Sequence, residues 1–537
     1  MAIALVRCLP VGPVHAQTSL ADRLEKLAAM PLPSIGPHKI ASIKFLIRLY
    51  AFRQNRPMWE DARNQLALKS AVGTSWVDGL KPRDFHASAL GINFRNVRTD
   101  GLDDTDYDLL QSDALARLLY QHFYGKVSPH KLDANWNFER QLPSGDAAQL
   151  ISEAADAGRV GDLIERAKPD HPIYRALRRS LATYKDFQLK GGWPTTPEGP
   201  VLKPDMTDPR VRVIRQRLAI SGHYQATDSP EDDRFDAALV EAVKRFQADH
   251  GLASDGVIGP QTRATLNISA SSRVDQIRVN MERARWVIRT LSARKDLVLV
   301  NIAGFYLRLI LDGKPVWKTD VITGRPYHKT PVFTESMRYL VINPDWVVPR
   351  SIIVNEILPK ALADPSYLAR GNYRLVDANG RVIPAQQIDW STQNRRSFRY
   401  RVIQNPGPGN ALGRVKFIFP NRFNVYLHDT PSRQLFSKSG RAFSHGCIRV
   451  KNPLRLAELL LGARNGLPRG QVDAIQASGK MKRINLKQEI QVAILYWTVD
   501  ANDDGTTRFY DDVYKRDKRL LAALNAAFKP DISAASR

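Results

Sequence analysis

The chain has 537 residues, 43% of them hydrophobic, and its 79 Lys and Arg outnumber 54 Asp and Glu to give a formal charge of +25. That length holds about three to four domains with cores of their own, and the basic excess favours a polyanionic partner: nucleic acid, an anionic membrane face or an acidic polymer. No long Lys/Arg run, zinc-finger spacing or aromatic RNA-binding motif accompanies the charge, which sets nucleic acid aside.

Residues 1–16 are apolar apart from Arg7 and His15, and end Val14-His15-Ala16 before Gln17. The small-x-Ala ending reads as the remnant of an export signal. Its removal would take Cys8 with it and leave Cys447 as the single thiol, free for chemistry. No later stretch reaches the ~18 apolar residues that span a bilayer.

Residues 20–200 read as a helical scaffold. Ile43, Leu46, Ile47 and Tyr50 fall on one helix face, and Leu115, Leu118 and Leu119 repeat the spacing. Gly191-Gly192 and the run Pro194 to Pro204 mark a linker. Residues 205–270 form a compact helical unit with two apolar stripes: Val211, Ile214 and Leu218, then Leu239, Ala242, Val243 and Phe246. Residues 273–295 predict a basic amphipathic helix whose arginines form a solvated face.

From Leu297 the period changes to strand. Leu297 to Ile302 and Tyr306 to Leu311 are followed by Asp312-Gly313, a hairpin turn, and Pro315-Val316-Trp317. A polar insertion follows at about 351–400, helix-like at first. Val415 to Phe419 and Val425 to Leu427 are apolar strands that deliver His428 to a sheet edge, and Pro453 to Leu461 reads as a helix. Residues 485–530 predict a strand and helix extension. Within it Asp500-Ala501-Asn502-Asp503-Asp504-Gly505, with Asp511 beyond, imitates half a calcium loop. Val492 to Val499 reads as a strand, however, so an acidic turn between strands is expected and no metal. The fold class expected is multidomain α+β: a helical scaffold, a small helical unit and a mainly-β domain.

The chemistry concentrates in Ser444-His445-Gly446-Cys447-Ile448-Arg449, with fifteen residues between His428 and Ser444. A thiol attacks as its thiolate, and a nearby imidazole takes its proton and lowers its pKa. An ionised Cys447 is therefore expected. Gly446 lets the amides of residues 445–447 face a carbonyl oxygen as an oxyanion hole. Tyr426 lies two residues before His428, on the same strand face, where it can wall a pocket. A papain-like protease has its cysteine before its histidine; here the order is reversed.

This motif resembles that of the L,D-transpeptidase (YkuD-like) family, in particular its large multidomain members. Val321-Ile322-Thr323-Gly324-Arg325, Thr330-Pro331 and Asn343 to Pro349 are similar to the opening strands of its catalytic domain. Tyr50 to Trp59, Asp78 to Pro82 and Tyr124 to Pro129 are similar to its N-terminal scaffold. Phe246-Gln247, Gly251-Leu252 and Asp255 to Thr262 resemble the small peptidoglycan-binding domain. The resemblance implies a scaffold at 20–200, a peptidoglycan-binding domain at 205–270, a catalytic domain at 296–470 with the 351–400 insertion as a lid, and the 485–530 extension.

It further implies Cys447 as nucleophile and His428 as its base, oriented by the carbonyl of Asp429. His445 and Gly446 shape the catalytic turn, while Tyr426, Trp346, Arg449 and Ser444 are the substrate-contact candidates, Trp346 by stacking on a stem peptide and Arg449 by holding either the loop or a carboxylate. The reaction implied attacks a peptidoglycan tetrapeptide stem, expels its terminal D-alanine and passes the acyl group to a neighbouring amine as a 3→3 cross-link. No metal or cofactor is called for, and acylation by carbapenems is implied. Partners are peptidoglycan stem peptides and glycan, with other wall-synthesis enzymes at the inner-membrane face, in the periplasm; the oligomeric state stays open. Water as acceptor would make an L,D-carboxypeptidase, a free D-amino acid an exchange enzyme, and a dead site a non-catalytic wall-binding scaffold.

Overall fold

Apolar residues at helical spacing build the first third of the protein, and a computed structural model describes residues 19–92, 102–134, 136–138, 145–225 and 232–528. The proposed signal remnant and Cys8 lie outside the described residues. Seven helices form the scaffold: α1 (Leu20–Ala28), α2 (Ile43–Phe52), α3 (Ala62–Gly73), α4 (Asp104–Tyr124), α5 (Ala147–Asp156), α6 (Val160–Ala167) and α7 (Pro172–Leu189), with a two-stranded hairpin, β1 (Ser34–Ile35) and β2 (His38–Lys39), after α1. Capping fixes several starts, as where Asp103 accepts the amide of Asp106 at 2.7 Å to open α4. On α2 the buried face is Leu46, Leu49 and Tyr50; Ile47 is 40% exposed, so the stripe lies one position off the expected one.

Three helices make the next unit: α8 (Arg210–Ile220), α9 (Ala237–Asp249) and α10 (Pro260–Leu266). Both expected stripes are buried in its core with Phe235 and Ile258. The Pro-rich segment before it is stitched down rather than free. Trp193 Nε1 donates to the Ile268 carbonyl at 3.1 Å, and the Arg217 guanidinium stacks 3.7 Å from the Trp193 ring.

The long α11 (Ala270–Ser292) departs from expectation. Arg273, Glu282, Arg283 and Arg285 on it are buried, not solvated. The helix is sandwiched between the scaffold, α7 included, and the C-terminal extension, so most of its charges face partners, while Arg273 meets the Phe509 ring and Gln276. Arg285 pairs with Glu282 at 2.8 Å, Arg283 with Asp517 at 2.7 Å, and Glu282 accepts the Val127 amide at 2.6 Å. Pairing is what makes such burial tolerable.

The strands that follow are β3 (Leu297–Asn301), β4 (Tyr306–Leu311), β5 (Lys314–Gly324), β6 (Phe333–Ile342), β7 (Trp346–Val347), β8 (Tyr373–Val376), β9 (Val382–Ile383), β10 (Arg401–Gln404), β11 (Val415–Ile418), β12 (Leu427–His428), β13 (Ala442–Ser444), β14 (Ile448–Val450) and β15 (Lys482–Leu495). Nine of them form one sheet in the order β13-β5-β14-β12-β11-β6-β15-β3-β4, and β4 also pairs with β5, which closes the ring from β5 to β4 into a barrel. The nine-stranded sheet extends past residue 470, because β15 sits between β6 and β3, antiparallel to one and parallel to the other. Closure satisfies the edges of what would otherwise be an open sheet. Helix α15 (Pro453–Asn465) buries Leu456, Ala457, Leu460 and Leu461 in the same core.

The insertion is a folded subdomain, not a weakly packed segment. Its strands order as β7-β10-β8-β9, and α12 (Arg350–Ile352), α13 (Leu358–Ala363) and α14 (Ser366–Arg370) pack on them around Ile353, Leu358, Leu375, Phe398 and Val402. Beyond the barrel, β16 (Val499–Ala501) and β17 (Thr507–Phe509) pair antiparallel across the acidic turn, and α16 (Asp517–Asn525) follows. Asp500 points inward and accepts from the Tyr306 hydroxyl at 2.9 Å and the Tyr510 hydroxyl at 3.1 Å. Phe509 stacks on His250 of the small helical unit, with ring centroids 5.6 Å apart, while Lys126 of the scaffold donates to the Leu524 carbonyl at 2.8 Å. The extension thus touches both helical domains and the barrel. Among the described residues no helix is long and apolar enough to cross a membrane.

Candidate active site

Two short parallel strands bring the sequence motif together. In the register of β12 and β14, Leu427 lies beside Ile448 and His428 beside Arg449. Leu427 and Ile448 point into the barrel core, fully buried. Alternation then sends Tyr426, His428, Cys447 and Arg449 to the opposite face, on one wall.

His428 is buried, and its Nδ1–H donates to the Asp429 carbonyl at 2.5 Å, which leaves Nε2 as the proton acceptor. The Asp429 carboxylate is turned away to Arg414, accepting from its amide and its Nε at 2.9 Å each. It does not serve as the third member of a triad. Gly413 is required beside it: its φ is +60°, and a Cβ there would lie 2.5 Å from the carboxylate.

Cys447 is partly exposed, with Sγ 3.6 Å from the Asn424 carbonyl. Burial pushes its thiol up to about 11, against a smaller opposing pull from the Tyr426 amide and hydroxyl and from Arg449. Burial, then the Arg449 guanidinium, pushes His428 down to about 3. The expectation of an ionised sulfur is therefore corrected. Desolvation outweighs every favourable charge here, which favours neutral thiol and neutral imidazole.

The catalytic turn also differs in detail from the expected oxyanion hole. Gly446 has a φ of +119°, which favours glycine. Its amide donates to Ser444 Oγ at 3.1 Å, and that hydroxyl donates to the Cys447 carbonyl at 2.5 Å. Ser444 is thus an internal staple, buried in its own loop rather than presented to a substrate. Gly446 N–H is spent, and among the described residues the Cys447 N–H has no acceptor. The hole reduces to that amide and its neighbours.

Around the sulfur, the Tyr426 ring lies 5.6 Å from that of His428, and its hydroxyl faces Cys447 and receives a hydrogen bond from Trp346. Trp346 itself is on β7, half-buried against the insertion core. His445 is exposed and paired through Nε2 with Glu356 of the insertion at 2.8 Å, and its ring lies 5.1 Å from that of His328. The insertion subdomain therefore touches the turn through Glu356 and the neighbouring strand through Trp346. Partial desolvation of its ring by its neighbours holds His445 below the ordinary histidine value, against the upward pull of Glu356. Arg449 sits near Arg325; both disfavour the cationic form of His445, whereas Arg449 favours the thiolate of Cys447. Among the described residues neither guanidinium has a carboxylate partner. Sequence reasoning missed Glu356, Arg325 and Arg414. Only Arg325 carried a signal, as the last residue of the strand segment Val321 to Arg325.

Comparison with known proteins matches three regions of the chain to known families. A family model described as "L,D-transpeptidase catalytic domain" (YkuD) matches residues 295–475, one described as "Scaffold domain" matches residues 44–181, and one described as "Putative peptidoglycan binding domain" matches residues 207–266. A Haemophilus influenzae protein named "Putative L,D-transpeptidase" is 27% identical over 516 residues, spanning 95% of this chain and 86% of its own length. Among solved structures, an L,D-transpeptidase from Mycobacterium smegmatis is 13% identical over 37% of this chain and 58% of that one, with a TM-score of 0.18. One from Xylanimonas cellulosilytica is 16% identical over 56% of this chain and 99% of that one, with a TM-score of 0.16. Neither superposition carries an argument of its own.

Proposed function

Since the chain carries a YkuD-type L,D-transpeptidase catalytic domain together with a peptidoglycan-binding domain and a scaffold domain, we propose that it is a cysteine-dependent peptidoglycan L,D-transpeptidase that makes 3→3 cross-links. The observation that carries the reading is the shared face of Cys447, His428, Tyr426 and Arg449 on paired strands, beneath an insertion that reaches the catalytic turn.

Cys447 attacks the carbonyl of the third stem residue. Because both groups rest neutral, the S–H proton passes to His428 Nε2 as the S–C bond forms, and the imidazolium is steadied by the Asp429 carbonyl. The oxyanion is taken by the free Cys447 N–H. Collapse expels the terminal D-alanine, whose nitrogen receives the proton from His428. The incoming amine of a second stem then gives a proton to the imidazole, attacks the thioester and releases Cys447 as the thiol. Arg449 and Arg325, without acidic partners among the described residues, suit a carboxylate of the stem peptide. Tyr426 and Trp346 wall the donor groove, the insertion acts as a lid, and residues 205–270 hold the wall polymer.

The same site is expected to be acylated by carbapenems, and the protein to work in the periplasm after export through its N-terminal segment, among other wall-synthesis enzymes. Incubation of the purified chain with a disaccharide-tetrapeptide, read by mass, tests the reaction. A cross-linked dimer is expected; a tripeptide alone would mean carboxypeptidase activity, and an exchanged tetrapeptide would mean D-amino-acid exchange. Cys447→Ala must abolish the acyl-enzyme mass, and its persistence would refute the nucleophile.

A further inference from the structure

The turn that carries Cys447 is held from behind by a residue far along the chain. Thr330 and Tyr514 are both buried, at 0% and 2% exposure. The Thr330 hydroxyl accepts the Gly324 amide at 2.9 Å and donates to the Gly446 carbonyl at 2.8 Å. The Tyr514 hydroxyl accepts the Thr330 amide at 3.1 Å and donates to the Gly324 carbonyl at 2.6 Å. Each hydroxyl has one proton to give. Tyr514 spends its proton on Gly324, and the Gly324 amide occupies a lone pair of Thr330, so the Thr330 proton is committed to Gly446. Tyr514 is fixed in turn: it stacks on Tyr496, with centroids 5.6 Å apart, and its amide donates to the Tyr496 hydroxyl at 2.8 Å.

The consequence follows from peptide geometry. In a trans peptide the carbonyl and the following N–H point in opposite directions. Anchoring the Gly446 carbonyl backward onto Thr330 therefore aims the Cys447 N–H forward, toward the reacting carbonyl. Ser444 already takes the Gly446 amide and the Cys447 carbonyl. Of the polar groups of this dipeptide, only the one N–H is left for substrate. Tyr514 lies beyond residues 295–475, the span of the catalytic-domain match, in the extension that also touches both helical domains.

We propose that Thr330 and Tyr514 are positioning residues of the oxyanion site, so that the C-terminal extension is required for acyl transfer although it supplies no group that touches substrate. This rests on the transpeptidase reading. The test compares two reactions of the same sulfur in the full chain. Acylation by a disaccharide-tetrapeptide builds an oxyanion, whereas alkylation of Cys447 by iodoacetamide, followed by peptide mapping, does not. Thr330→Val and Tyr514→Phe are expected to slow acylation about 100-fold while changing alkylation less than about twofold. Thr330→Ser, which keeps the hydroxyl, is expected to acylate within about threefold of the unaltered chain. Should Thr330→Val fail to fold, Tyr514→Phe carries the comparison, since it leaves Thr330 in place. Equal acylation rates for the unaltered chain and the variants would overturn the proposal, as would a parallel loss of acylation and alkylation. An unaltered chain that is alkylated but never acylated would instead overturn the transpeptidase reading itself.

Discussion

Raising the pH through the neutral range should leave the acylation rate almost unchanged. With His428 near 3 and Cys447 near 11, the competent form is imidazole plus thiol. At pH 5.5 a histidine of pKa about 3 is more than ~99% neutral, and at pH 9.5 a thiol of pKa about 11 is still ~97% protonated. The expected profile is therefore flat from pH 5.5 to 9.5, to within about twofold. An ordinary histidine of pKa about 6.5 would lose roughly tenfold between pH 7.5 and 5.5. Attack by a free thiolate of raised pKa would instead climb tenfold with each pH unit. The assay is quenched-flow intact mass of the acyl-enzyme under single-turnover conditions, using a β-lactam with no group titrating in that window and checking folding by fluorescence at each pH. A midpoint between pH 6 and 8, or a slope of one decade per unit, would refute the neutral pair.

Stability should respond to acid for the same reason. Burial first, then nearby cations, holds His122 and His250 well below the ordinary histidine value, as it does His428. The folded state keeps these rings neutral while the unfolded chain protonates below about pH 6.5, so their stabilising effect is complete above that pH and is lost as pH falls toward the folded value. Each should cost about 1.4 kcal/mol between pH 7.5 and 5.5. Because they lie in the scaffold, the small helical unit and the barrel, all three domain transitions in urea should move; pH-independent midpoints would show that the rings are hydrated. Glu282→Gln should destabilise by about 3–5 kcal/mol, since it strips the partner from a buried Arg285. Thermal unfolding reads this, and a loss below about 1 kcal/mol would mean that water reaches the pair.

The functional residues were legible because chemistry restricts them to a short pattern. Cys447 with His445, Gly446 and His428 could be read in one dimension, since a strand of alternating residues fixes which side chains share a face. Helical stripes such as Val211, Ile214 and Leu218 were legible for the same reason: local periodicity reports burial. What the one-dimensional pattern could not report is what lies opposite each residue. The arginines of α11 look solvated in isolation and are buried because three other elements close over them. The sulfur looks ionisable beside an imidazole and is neutral because desolvation depends on the surrounding shell. The strand β15 takes its place in the sheet, and the Tyr514 hydroxyl reaches Gly324, through contacts between residues more than a hundred positions apart. The amino-acid order alone set the proposed nucleophile, its proposed base and the local elements. The protonation state of the pair, the aim of the Cys447 amide and the extent of the catalytic domain were decided by packing, because each is a property of what surrounds a group rather than of the group itself.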